Sequence, residues 1–142
     1  MVSRFLLVQT ASAVALGLTF SSAFAQTVDP VEAGRQIYED RCTICHGETG
    51  KGDGPVGGMF ATPPGDLTKI QQEGQFFPYM EVLAKIDGRE LVASHGTEMP
   101  IWGEAFMVES LEDSGINPKD AAAIVNARLA SLLFNLATLQ GQ

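Results

Sequence analysis

An all-α domain is what this sequence predicts, and three observations carry the prediction. Proline-led helix starts stand at Asp29-Pro30 and Asn117-Pro118, the terminal stretch repeats apolar residues at helical spacing, and no segment alternates β-branched residues with period two. Three to four helices joined by long, turn-rich loops follow from these signals.

Taken in order, Asp29 can cap the first helix, Pro30 suits its first position and Glu32 stands where a capping box would close. A helix over about residues 30–42 results, with Gly34, Ile37 and Tyr38 on or near one face. Residues 47–68 are dense in glycine and proline, from Gly47 through Pro55 to Pro63, Pro64 and Gly65, which forbids a long regular element. A loop of that length inside a small domain is functional or wraps something.

Pro78 to Ile86 then spaces Met80, Val82, Leu83 and Ile86 as a short helix, stopped by Asp87-Gly88. A second loop runs from Ser94 to Gly103. After Asn117, the residues Ala121, Ile124, Val125, Leu129, Leu132, Leu133 and Leu136 trace the apolar stripe of a terminal helix. Asn126 and Arg128 near its middle read as too polar for a bilayer, so the helix is expected to pack on the core.

The 142 residues suit one compact domain. Residues 1–25 read as a signal peptide: Arg4, an apolar run from Phe5 to Phe20, and Ala23-Phe24-Ala25 as a cleavage site. The rival is an uncleaved anchor, but Gln9, Thr10 and Ser12 interrupt the run, which falls short of the ~20 residues that span a bilayer. Cleavage after Ala25 gives an exported, periplasmic domain of residues 26–142. Without Arg4 it has 8 basic and 17 acidic side chains, a formal charge of −9. That balance excludes nucleic acid and anionic membrane surfaces as partners, and it fits either docking to basic surfaces or simple solubility. So much loop leaves a thin core, which a buried prosthetic group would supplement.

The chemistry concentrates at Cys42-Thr43-Ile44-Cys45-His46. Cys-x-x-Cys-His puts two thiols on one turn, within reach of two vinyl carbons of one porphyrin, and delivers an imidazole beneath the iron. The same cysteines could be a thioredoxin-like dithiol, half of a zinc site or a local disulfide. The first expects a preceding strand, and the second lacks donors beyond His95. Iron held by His46 needs a sixth ligand or keeps an open position, and Met59, Met80, Met99, Met107 and His95 are the candidates. Met99 is preferred because it lies in a loop, precedes the restraining Pro100, and sits far enough from His46 for the chain to return over the other haem face. His95 is the competitor.

At these residues the sequence resembles the class I, single-haem bacterial cytochromes c. The likeness rests on Gly34 and Tyr38 ahead of Cys42, on Cys42, Cys45, His46 and Gly47, and on Met99-Pro100 with Trp102-Gly103. It implies the cytochrome c fold, one covalent haem c attached at Cys42 and Cys45, axial ligation by His46 and Met99, and one-electron transfer between redox partner proteins without enzymatic activity. It implies that Phe134 and Leu136 pack across Gly34 and Tyr38, and that a proline carbonyl, with Pro64 favoured over Pro55 and Pro63, orients His46. Two other readings stay open: a fixed cytochrome subunit of a periplasmic oxidoreductase, for which Phe76-Phe77-Pro78 and Ile101-Trp102 would be an interface unless buried on haem, and a gas-binding protein in which Met99 does not ligate.

Overall fold

The computed structural model describes residues 28–89, 99–112 and 116–141. The segment read as a signal peptide and His95 lie outside them. Among the described residues there are five helices and no strand: α1 (Pro30–Arg41), α2 (Thr43–His46), α3 (Tyr79–Asp87), α4 (Trp102–Glu112) and α5 (Pro118–Thr138).

The helix starts use the caps that the sequence encodes. Asp29 Oδ1 accepts from the Val31 N–H at 2.9 Å, and Asn117 Oδ1 accepts from Lys119 and Asp120 at 3.0 and 3.1 Å. Glu32 does not close a capping box. It turns instead to Arg35, with contacts of 2.6 and 2.8 Å, because a guanidinium one turn away offers charge-assisted bonds that a backbone N–H cannot match. Gly88, in the left-handed conformation, ends α3 by donating its N–H to Ala84 at 3.1 Å.

The core is the meeting of α5 with α1, α3 and α4. Tyr38, Phe77, Val82, Ile86, Phe106, Val125, Leu129, Leu132, Leu133 and Leu136 form one buried cluster. The stripe expected on α5 is buried throughout except at Ile124, which is partly exposed. By length and apolarity α5 also passes as a membrane span, with a mean hydropathy of 1.4, so composition did not make it too polar. Its buried stripe is occupied by the helices of this domain. Arg128 is matched inside it: the guanidinium lies 4.0 Å from the Phe106 ring centroid and donates to Glu109 at 2.9 Å, while Arg41 of α1 reaches the other Glu109 oxygen at 3.0 Å.

The closest approach is between α1 and α5. A Cβ on Gly34 would lie 1.9 Å from the Ser131 carbonyl oxygen and 3.0 Å from Asn135 Cβ. Backbone therefore meets backbone there, and the expected packing of Phe134 across Gly34 does not occur. Phe134 stands one residue round the helix, 44% exposed, with its ring edge-on to Tyr79 at 6.3 Å. Leu136 is buried beside Tyr38 in the core cluster, as expected.

α4 is the helix that the sequence reading missed, and it carries one oddity. Ser110, in the buried face of α4, has a hydroxyl with no hydrogen-bond partner among the described residues. Ser110→Ala should therefore raise stability, by about 1 kcal/mol, because it removes a desolvated group that gains nothing. Chemical denaturation of the two proteins checks this.

Candidate haem-attachment site

α1 delivers the motif. Cys42 is both the C-cap of α1, its N–H donating to Tyr38 at 2.8 Å, and the N-cap of the single turn α2 that holds Cys45 and His46. His46 and Gly47 donate back to Cys42 and Thr43 at 2.8 and 2.9 Å, so the turn is closed by its own backbone. The three-residue spacing of the cysteines places them on one side of this turn. Both are free thiols, Cys42 buried and Cys45 half-buried. Burial, and then the neighbouring Cys45, pushes the Cys42 thiol up to about 12, so it stays protonated and unreactive toward stray oxidants in the folded apoprotein.

The glycine-rich loop folds straight back onto the motif. Gly52, Gly54 and Val56 donate to His46, Cys45 and Ile44 at 2.9, 3.1 and 3.1 Å, and Leu67 donates to Gly50 at 2.6 Å. Gly52 has φ +79°, and a Cβ there would meet the Pro64 carbonyl oxygen at 2.3 Å. The return strand of the loop is thus pressed against its outgoing half, and this carries Gly65 to the imidazole.

His46 Nδ1 lies 3.1 Å from the Gly65 carbonyl. A carbonyl only accepts, so Nδ1 carries the proton and Nε2 keeps its lone pair for a metal. Burial lowers the pKa of His46, opposed by the Gly65 bond, and favours the neutral imidazole that ligation needs. The Pro64 expectation is therefore off by one residue: Pro64 O is turned into the Gly52 contact, leaving the next carbonyl for His46.

Tyr38 ties the motif to α1. Its hydroxyl, buried, donates to the Gly47 carbonyl at 2.7 Å. Burial is the main reason that its pKa rises to about 12. A raised pKa contributes stability that is complete below pH 10 and is lost as pH climbs through about 12. Tyr38→Phe should lower stability at neutral pH by about 1 kcal/mol, because the Gly47 carbonyl loses the phenol and keeps only the longer bond from the Gly50 N–H at 3.3 Å, and should flatten the loss between pH 10 and 12. Denaturation midpoints of both proteins across that range check it.

The methionines separate by environment. Met107 packs on the core; Met59 and Met80 are more than 70% exposed; Met99 is 39% exposed, just ahead of Pro100 and α4. Nothing in the described residues brings Met99 to bond or pack in the core cluster, so its thioether is free of a structural duty there. An open groove of about 580 Å³ lies beside the motif along Thr43, Ile44, Glu48 and Asp53, but neither thiol nor His46 lines it.

The rivals to haem fare poorly against this geometry. A helix, not a strand, leads into the cysteines, and among the described residues no three His, Cys, Asp or Glu side chains gather as a metal site would require. What remains is a small helical domain whose first helix presents two thiols and a tautomer-fixed imidazole on one turn, the donor set of a covalently bound haem. The chain belongs to the cytochrome c family: the family model described as Cytochrome c matches residues 31–126. No curated protein and no solved structure matches the chain. With the family come one covalently attached c-type haem and a role in haem-based electron transfer. The match stops inside α5, before Ser131, so the helix contact at Gly34 is made with residues beyond it.

Proposed function

We propose that the protein is an exported, periplasmic electron carrier, matured by cleavage after Ala25 and not itself an enzyme. Cys42 and Cys45 carry the thioether links, His46 is the proximal ligand and Met99 the distal one. The observation that carries this reading is the His46–Gly65 hydrogen bond, which leaves Nε2 as the one ring nitrogen open to a metal. The haem, when bound, supplies a one-electron centre whose ferrous state a thioether ligand favours. The chain does the rest: α1 and the glycine loop hold the imidazole, burial keeps it neutral, and the −9 formal charge of residues 26–142 steers the carrier toward basic faces of its redox partners in a salt-sensitive way.

Cys42→Ser/Cys45→Ser tests the attachment. The unsubstituted protein, expressed with haem-attachment machinery, should keep its haem through denaturation and acid extraction, and the double variant should release it. Haem released from the unsubstituted protein would contradict the reading.

One observation favours a second reading, the fixed subunit of a redox complex. Phe77 is buried in the protein core and Trp102 packs against that core, but Phe76 is 96% exposed, and the half-exposed rings of Tyr79 and Phe134 meet each other at 6.3 Å. A subunit would cover such a patch. Co-purification at high salt with a partner, abolished by Phe76→Ser, would favour the subunit; a monomer under the same conditions favours the carrier.

A further inference from the structure

The segment that bears Met99 is joined to α3 in an unusual way. Gly103, the second residue of α4, is buried, and the space where its side chain would stand is filled by another pair of residues. A Cβ on Gly103 would lie 1.7 Å from Asp87 Oδ1, 2.8 Å from Asp87 Cγ and 2.6 Å from Arg89 Nε. Asp87 and Arg89 grip each other in a two-pronged pair, with Nε to Oδ1 at 2.5 Å and Nη2 to Oδ2 at 3.1 Å. The end of α3 makes a further contact alongside: a Cβ on Gly88 would stand 3.2 Å from Ile101 Cγ2.

The register matters. Ile101 and Gly103 are two and four residues beyond Met99, with the stiff Pro100 between. Fixing 101 and 103 against the end of α3 therefore fixes where the chain stands as it leaves Met99. From these contacts we infer that the Asp87–Arg89 pair is a latch seated on Gly103, which positions Met99 as the distal ligand by holding the Met99–Trp102 segment to α3. Asp87 and Arg89 are positioning residues. They act through the backbone at 101–103, and the inference rests on the proposed ligation by Met99.

Physically, the latch limits how readily the thioether leaves the iron and how often an outside ligand takes its place. A bidentate ion pair at a partly exposed site is worth little in global stability. Its effect is local, because residues 99–101 stand between the Ile101 contact with Gly88 and the start of α4, so a pair seated on Gly103 sets where that stretch is held.

The test is displacement of Met99 from the ferric holoprotein by added imidazole, followed by loss of the long-wavelength thioether band, with thermal midpoint measured alongside. Asp87→Asn, which keeps shape and removes the charge, should speed displacement about two- to fivefold, the size of a lost ion pair at a partly exposed site, with the thermal midpoint nearly unchanged. Gly103→Ala should do the same by expelling the pair. In the Asp87→Ala background, Gly103→Ala should add less than it does alone, since Asp87 Oδ1, the nearest atom at 1.7 Å, is gone.

Unchanged displacement in Asp87→Asn would overturn the latch. So would a faster displacement that merely tracks a fallen thermal midpoint, or full additivity of Asp87→Ala with Gly103→Ala. Absence of the thioether band in the unsubstituted protein would instead overturn ligation by Met99, and the latch with it; that outcome is recognised before any variant is made.

Discussion

Gly34→Ala will cost the domain about 3 kcal/mol or more, the largest effect expected of any single methyl in this chain. The added carbon would sit 1.9 Å from the Ser131 carbonyl oxygen and 2.4 Å from its carbon, both backbone atoms of α5. Neither can rotate away as a side-chain tip could. α1 and α5 must separate, and with them Tyr38 leaves Leu132, Leu133 and Leu136 in the shared cluster. Because α1 also delivers Cys42 and the turn that holds His46, the loss should reach the site: covalent haem incorporation should fall together with the denaturation midpoint. A Gly34→Ala protein with an unchanged midpoint would show that the two helices do not meet where described.

Gly52→Ala should have the second largest effect, and a more local one. It imposes a side chain on a backbone with φ +79° and drives it to 2.3 Å from the Pro64 carbonyl oxygen. Strain in the left-handed region and the clash together predict a loss of about 2–3 kcal/mol. The structural consequence is that Pro64 and Gly65 are pushed off, and the 3.1 Å bond to His46 Nδ1 is broken. With no carbonyl to hold the proton on Nδ1, the ring is free to turn and its basicity as a ligand falls. The reduction potential should shift relative to the unsubstituted protein while helix content is kept, and the Nδ1–H resonance of His46 in the ferrous protein should exchange faster. An unaltered Nδ1–H signal would mean that Gly65 does not set the imidazole.

Much of this was legible in the residues themselves. The caps at Asp29 and Asn117, the stop at Asp87-Gly88 and the stripe on α5 are local signals, and each found its element because capping and periodicity need only neighbours in sequence. Cys42, Cys45 and His46 come together at one helical turn for the same reason: their spacing places them there. What failed was long-range or a matter of one residue's rotation. Phe134 rather than Ser131 was expected at Gly34, since pattern alone cannot say that two backbones approach too closely for any side chain. Among Pro55, Pro63 and Pro64 the sequence favours Pro64, yet Gly65 makes the bond, because the Gly52 contact that turns the Pro64 carbonyl away is invisible in the sequence.

α4 was missed because Trp102–Glu112 is apolar on more than one side, so no single stripe marks it; the spacing of Gly103, Phe106 and Ser110 was the signal available. Glu32 met a capping-box pattern and an Arg35 partner at once, and charge decided.

The most direct test of the central claim is the visible absorption spectrum of the ferric holoprotein, compared with that of Met99→Ala. Covalent haem with the weak long-wavelength band of thioether ligation, present in the unsubstituted protein and absent from Met99→Ala, is the result predicted for a carrier with His46 and Met99 on the iron. A band that survives in Met99→Ala, or a ferrous protein that binds carbon monoxide rapidly at neutral pH without any substitution, would contradict it.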